Sequence, residues 1–177
     1  MLKRTHKCGQ LRIDDVDKSV VVNGWVNSYR DHGSLVFIDV RDRYGLVQVV
    51  FNPEQYPEIH EKARHLRCEW VIGVAGIVNK RDDGLENPKL PTGKIEIVAQ
   101  ELEIFNEAKT PPFELDGAEK VGEDTRLIHR YIDLRRSSMQ DKLITRHRIA
   151  KIIRDYLDDK GFLEIETPML GKSTPEG

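Results

Sequence analysis

Phe37 sits in the middle of "SLVFIDV", an apolar run of strand-forming residues. An aromatic ring exposed on a sheet can stack a nucleobase, at ~1–3 kcal/mol per base. Arg30, Arg41, Arg43 and Arg81 fall at the ends of strand-like runs, where guanidinium forks could hold phosphates. Gln48 and Glu96 are polar residues inside such runs and could read base edges. Each has a plain alternative. A strand phenylalanine is usually core, a strand-end arginine is usually solvated, and Glu96 could simply face water.

Two further groups carry charge in a pattern. "RLIHRYIDLRR", residues 126–136, sets four arginines around an apolar centre, so it could grip a carboxylate or phosphate. Alternatively, Asp133 pairs internally with Arg135 or Arg136. "STPEG" holds Glu176 between a proline and a glycine, where a carboxylate could meet a substrate ammonium or lie on the surface. There is no nucleophile–base spacing, no phosphate-cradling glycine loop and no metal-ligand spacing. His60 and His65 share a helical stretch but stand five apart, off one face. Cys8 and Cys68 have no CxxC context and read as reduced cytoplasmic thiols.

The elements that must position these residues are set by periodicity. "VVVNGWVNSYRD", "SLVFIDVRD" and "LVQVVF" alternate in polarity, with His32-Gly33 and Tyr44-Gly45 as turn signals, and predict an antiparallel meander. In the first run, Val20, Val22 and Gly24 face one way, and Val21, Asn23 and Trp25 the other. "NPEQYPEIHEKARHLRC" predicts a helix opened by Pro57, with Ile59, Ala63 and Leu66 on one face. "EWVIGVAGIVNKR" and "GKIEIVAQELEIF" return to strand, separated by a loop. Five strands with a helix between the third and fourth is the order of an OB-fold Greek-key barrel, here residues 1–106. A Pro/Gly/acid-rich linker without periodicity covers 107–130.

From 131 the pattern turns helical. Ser138 with Asp141 suggests a capping-box start, Ile149, Ile152, Ile153, Tyr156 and Leu157 share a face, and Gly161 marks the stop. "GFLEIETPML" then reads as a strand ended by Pro168, so the fold class is a five-stranded barrel, then a linker and a helix-strand piece. The apolar stripe has too few partners in the remaining residues and calls for more chain or a second subunit. Hydrophobic residues make up 38%, charged residues 33%, and the net charge is −2. This composition suits a globular protein without a membrane span or signal peptide, and argues against a generic nucleic-acid coat while leaving room for a local basic groove.

"CGQLR", "GWVNSYRDHGSLVFIDVRDRYGLVQVVF", "HRYIDLRR" and "GFLEIETPMLGKSTPEG" together resemble the N-terminal third of bacterial-type aspartyl-tRNA synthetases of class II. The resemblance implies an anticodon-binding barrel over 1–106, a hinge over 107–130 and a truncated catalytic domain over 131–177. It further implies a parent enzyme that uses ATP and Mg2+ to make aspartyl-adenylate and charges tRNA(Asp). That enzyme would be a cytoplasmic homodimer, and this chain alone would lack the main catalytic motifs. By the same resemblance Phe37 stacks the middle anticodon base, Arg30, Gln48, Arg81 and Glu96 contact the anticodon, Glu176 binds L-aspartate, and Pro168 belongs to the dimer-forming motif 1. His32 in "RDHGS" and Gly84 in "RDDGLENP" flank the last anticodon base. A histidine at the first of these resembles forms that also charge tRNA(Asn). The alternatives are a free-standing single-strand-binding OB-fold and a synthetase for asparagine or lysine; the "STPEG" tail speaks against the first.

Overall fold

The computed structural model describes residues 1–115, 120–169 and 171 and divides into two units, 1–111 and 112–177. In the first, β1 (Ser19–His32), β2 (Leu35–Asp42), β3 (Gly45–Phe51), β4 (Val71–Lys80) and β5 (Ile95–Asn106) close into a barrel ordered β1-β2-β3-β5-β4. The ladders are antiparallel except for β3 with β5, where Val49 faces Ile97 and Val50 faces Val98 in parallel. Closure leaves no free sheet edge. α1 (Pro57–Arg64) lies between β3 and β4, with proline in its first turn, and Ala63 and Leu66 are buried in the core. The expected strand order and helix are therefore present.

Alternation builds the interior. Val20, Val22 and Val26 from β1, Val36, Ile38 and Val40 from β2, and Val47, Val49 and Phe51 from β3 are all buried in one core. Ile72, Val74 and Val78 from β4 and Ile95, Ile97 and Ala99 from β5 complete it. The opposite parity on β2, β3 and β5 puts Phe37, Asp39, Gln48, Val50 and Glu96 on the outer surface.

One irregularity decides what joins them. Between Val26 and Ser28 the β1–β2 register shifts: Val26 faces Val40, and Ser28 then faces Asp39, skipping Asn27. The extra residue is a β-bulge, and it reverses the parity of the rest of the strand. Tyr29 thereby packs against the core, while Arg30 pairs across to the outward-facing Phe37.

In the second unit, α2 (Glu123–Ile128) falls within the stretch read as linker and precedes α3 (Arg130–Asp133) and α4 (Ser137–Asp159). Two expectations are corrected here. Ser138 does not cap α4: the helix starts from Arg136 without a side-chain cap, and the Gln140 amide instead donates to the Leu134 carbonyl. The strand expected over 162–168 is absent. Those residues are exposed and paired in no ladder, since a strand needs a partner edge and the described residues offer none. Gly161, with φ +82°, ends the helix as expected. Ile149, Ile152, Ile153, Tyr156 and Leu157 remain exposed along α4.

The arginine-rich segment resolves inward. Asp133 is fully buried and accepts from Arg126 Nε at 3.0 Å, Arg130 Nη1 at 2.6 Å and Arg136 Nη1 at 3.1 Å. The Arg126 hydrogen bond, with the other two guanidiniums, holds its carboxyl below the usual carboxylate range. The internal-pairing alternative is thus the one observed, through Arg126 and Arg130 as well as Arg136.

Both tryptophans, Trp25 and Trp70, lie in the barrel unit, so their fluorescence reports on it alone. Ile38→Ala, in the core, should lower barrel stability by about 2–5 kcal/mol in denaturant titrations. Leu85→Ala, on an exposed loop of the same unit, should leave the stability within about 0.5 kcal/mol of wild type. Equal effects would contradict this division between core and exposed loop.

Candidate nucleic-acid interface

The strand register assembles the site from two parallel rows on the outer face of β1, β2 and β3. In one row, Arg30 lies opposite Phe37 and Phe37 opposite Val50. In the next, Ser28 lies opposite Asp39 and Asp39 opposite Gln48. β5 extends the second row with Glu96, because its parallel pairing sets Ile97 beside Val49. An open cavity of about 320 Å³ covers this face, lined by Arg30, His32, Leu35, Phe37, Gln48, Val50, Arg81, Asp82, Leu85 and Glu96.

The polar side chains are already connected. Arg30 Nη1 donates to Asp39 Oδ2 at 2.8 Å and to Ser28 Oγ at 2.9 Å. Its Nη2 donates to Asp39 Oδ1 and to Gln48 Oε1, both at 3.1 Å. Gln48 Nε2 in turn donates to Glu96 Oε2 at 2.9 Å. Asp39 pushes the Arg30 guanidinium further toward its charged form. Arg30 is thus committed within the sheet, its guanidinium fork engaged by Asp39. Arg41 is likewise spent: its Nη2 lies 2.8–2.9 Å from both oxygens of Glu69 and its Nη1 2.5 Å from Asn27 Oδ1. Arg43 is exposed, away from the cavity, at 5.9 Å from the Tyr44 ring.

Arg81 and Glu96 carry the strain of burial. Arg81 is only 7% exposed; its Nε donates to the Ile95 carbonyl at 3.0 Å, but its Nη2 is buried without a partner among the described residues. Burial lowers its pKa against the favourable charges of Glu96 and Asp39. A buried donor left unmade costs about 1–3 kcal/mol, which an incoming acceptor would recover. Burial likewise pushes the Glu96 carboxyl up, opposed by the Gln48 hydrogen bond and the Arg81 charge.

Phe37 is half-buried on the outer face, not in the core, and the His32 ring packs edge-on against it at 5.8 Å. His32 ends β1 just before Gly33, whose φ of +72° favours glycine in that turn. Gly84, at φ +87°, turns the loop after β4 that carries Asp82 and Leu85 into the cavity wall. Pro168 belongs to the second unit, and Glu176 lies outside the described residues. Asp39, Ser28 and Leu85 were not singled out by the sequence. The cross-strand register alone reveals the first two.

Comparison with known proteins shows the same division. Residues 20–105 match the family model of the OB-fold nucleic acid binding domain, and residues 122–177 that of the class II tRNA synthetases (D, K and N). The chain is 56% identical to the aspartate–tRNA(Asp/Asn) ligase of Caldanaerobacter subterraneus subsp. tengcongensis, over 99% of this chain and 30% of the relative. It is 54% identical to that of Protochlamydia amoebophila over 99% of this chain and 29% of the relative. The chain thus spans about 30% of the length of these curated relatives. Among solved structures, the aspartyl-tRNA synthetase of Entamoeba histolytica aligns with a TM-score of 0.84 at 22% identity, covering 96% of this chain and 40% of that one. The asparaginyl-tRNA synthetase of Pyrococcus horikoshii aligns with a TM-score of 0.83 at 24% identity, covering 97% of this chain and 39% of that one. At these identities the likeness shows the fold.

The burial of Glu96 generates a pH prediction. Its folded pKa stands above its unfolded value, so the folded state binds the proton more tightly. Stability must then fall as pH rises from the ordinary glutamate range through the raised folded value. Glu96→Gln should remove that fall, and thermal unfolding measured across this range should show a flatter profile than wild type. Parallel profiles would overturn the assignment of the effect to Glu96.

Proposed function

We propose that this chain, a homologue of the aspartate–tRNA(Asp/Asn) ligases over nearly its whole length, is the anticodon-reading barrel of such an enzyme joined to the start of its class II catalytic domain. The observation that carries the reading is the meeting of Phe37, Gln48, Arg81, Glu96 and His32 around one open cavity. A face of this kind suits a single-stranded loop, whose unstacked bases can be read on their edges. Phe37 offers the stacking surface, Gln48 and Glu96 the edge-reading amide and carboxylate, and Arg81 a donor awaiting an acceptor. His32 and the Gly84 loop stand at the rim, where they would flank the last base of the anticodon.

The parent enzyme would join L-aspartate to tRNA(Asp), and also to tRNA(Asn), through aspartyl-adenylate formed from ATP. Glu176 would help bind the aspartate. Pro168 and the exposed face of α4 would belong to the motif 1 homodimer interface, with domain limits near 106 and 130. ATP and Mg2+ would serve the parent enzyme; among the described residues, no group of three His, Cys, Asp or Glu side chains is placed to hold a metal. No described helix is long and apolar enough to cross a membrane. By its homology the parent enzyme would work in the cytoplasm. Residues 1–177 alone would bind RNA without aminoacylating it.

Binding of residues 1–177 to the anticodon-arm hairpin of tRNA(Asp) tests the reading. Phe37→Ala should weaken it by ~1–3 kcal/mol, roughly five- to 150-fold. Unchanged affinity would sink the stacking role. The full-length enzyme should aspartylate both tRNA(Asp) and tRNA(Asn) transcripts, and rejection of the second would remove the dual specificity.

A further inference from the structure

We propose that Asp39 is a specificity-positioning residue: it clamps Arg30 into the sheet so that the Gln48 amide shows RNA one fixed donor–acceptor pattern, and it keeps Arg30 from acting as a mobile phosphate-binding cation. The proposal rests on the RNA-reading assignment of this face. An amide has two nearly equivalent orientations about its last torsion, with oxygen and nitrogen exchanged. Here both sides of Gln48 are decided. Arg30 Nη2 donates to Oε1 at 3.1 Å from one side, and Glu96 Oε2 accepts from Nε2 at 2.9 Å on the other.

Arg30 can hold its half of that arrangement only because Asp39 engages both guanidinium nitrogens, Nη1 at 2.8 Å and Nη2 at 3.1 Å. The Asp39 side chain is 14% exposed, and Ser28 Oγ reaches its Oδ2 at 2.5 Å. A bidentate fork of this kind fixes direction as well as charge. It also cancels the Arg30 charge on the face that RNA would approach. Removing the carboxylate therefore does two things at once: it unties Gln48 and it restores a free cation.

Asp39→Asn separates this role from a purely structural one, because it predicts a gain as well as a loss. In residues 1–177, discrimination between the tRNA(Asp) anticodon-arm hairpin and the same hairpin with a permuted loop should fall at least about tenfold. The slope of log affinity against log salt should steepen by about 0.7, the value for one more neutralised phosphate on a single strand. On an Arg30→Ala background the same change should add nothing to the loss of discrimination. In the free protein, the side-chain amide resonances of Gln48 should shift in Asp39→Asn.

Wild-type discrimination in Asp39→Asn, or an undiminished loss on the Arg30→Ala background, would overturn the proposal. Should Asp39→Asn fail to fold, Arg30→Met serves in its place. Its thioether has no N–H to give Gln48 Oε1, so discrimination should fall and the Gln48 amide resonances should shift in the free protein; retained discrimination would refute the clamp. If the wild-type chain shows no preference between the two hairpins, the RNA reading fails. The Gln48 resonances then still decide the clamp, and their indifference to Asp39→Asn ends it.

Discussion

The outer face of this barrel depends on a one-residue slip in β1. Up to Val26 the even-numbered residues of the strand point into the core. Asn27 is then skipped in the ladder with β2, and from Ser28 onward the even-numbered residues point out. A side-chain period of two makes such a slip an all-or-none switch. Without it Ser28, Arg30 and His32 would face a core of valines and isoleucines, and Tyr29 would face solvent. The bulge thus exchanges an unsatisfied buried guanidinium, which the interior could not tolerate, for a surface row that Asp39 and Gln48 can complete.

That row creates a surface whose polar groups are mostly spoken for before any ligand arrives. Arg30, Asp39, Ser28, Gln48 and Glu96 form a continuous hydrogen-bonded chain across four strands. Such a chain fixes side chains at small entropic cost to a later binding event, since their rotamers are already chosen. Against this ordered background Arg81 stands out, with a buried nitrogen that has no partner among the described residues. Phe37 stands out too, as a half-buried ring lining the cavity. The groups left unsatisfied, not the full set of charges, define what the face can still take up.

The second unit is organised by a different interaction. Asp133 collects three guanidiniums around a buried carboxylate, joining α2, α3 and the turn before α4 through side chains where the apolar material is scant. Breaking such a cluster from one side leaves an uncompensated buried charge, so it acts as a specific fastener. α4 itself keeps its apolar stripe exposed. Its helical form rests on local propensity over 23 residues and the stop at Gly161, not on burial among the described residues.

By itself, the sequence determined the elements and most of their order. Strict alternation, turn residues at Gly33 and Gly45, and Pro57 at a helix start are local signals, each set by a few neighbouring residues. They sufficed for the barrel strands, α1 and the end of α4, and the long motifs carried the family likeness. Local signals also erred where a partner decides the outcome: the 162–168 run has strand character but no edge to pair with, and Ser138 does not cap the helix that includes it. Only the tertiary structure decided the face that lines the cavity. The bulge at Asn27, the alignment of Asp39 with Ser28 and Gln48, and the nearness of Glu96 all join residues distant in the chain. Register between strands is set by closing the barrel and filling its core, so no stretch of sequence read alone contains it.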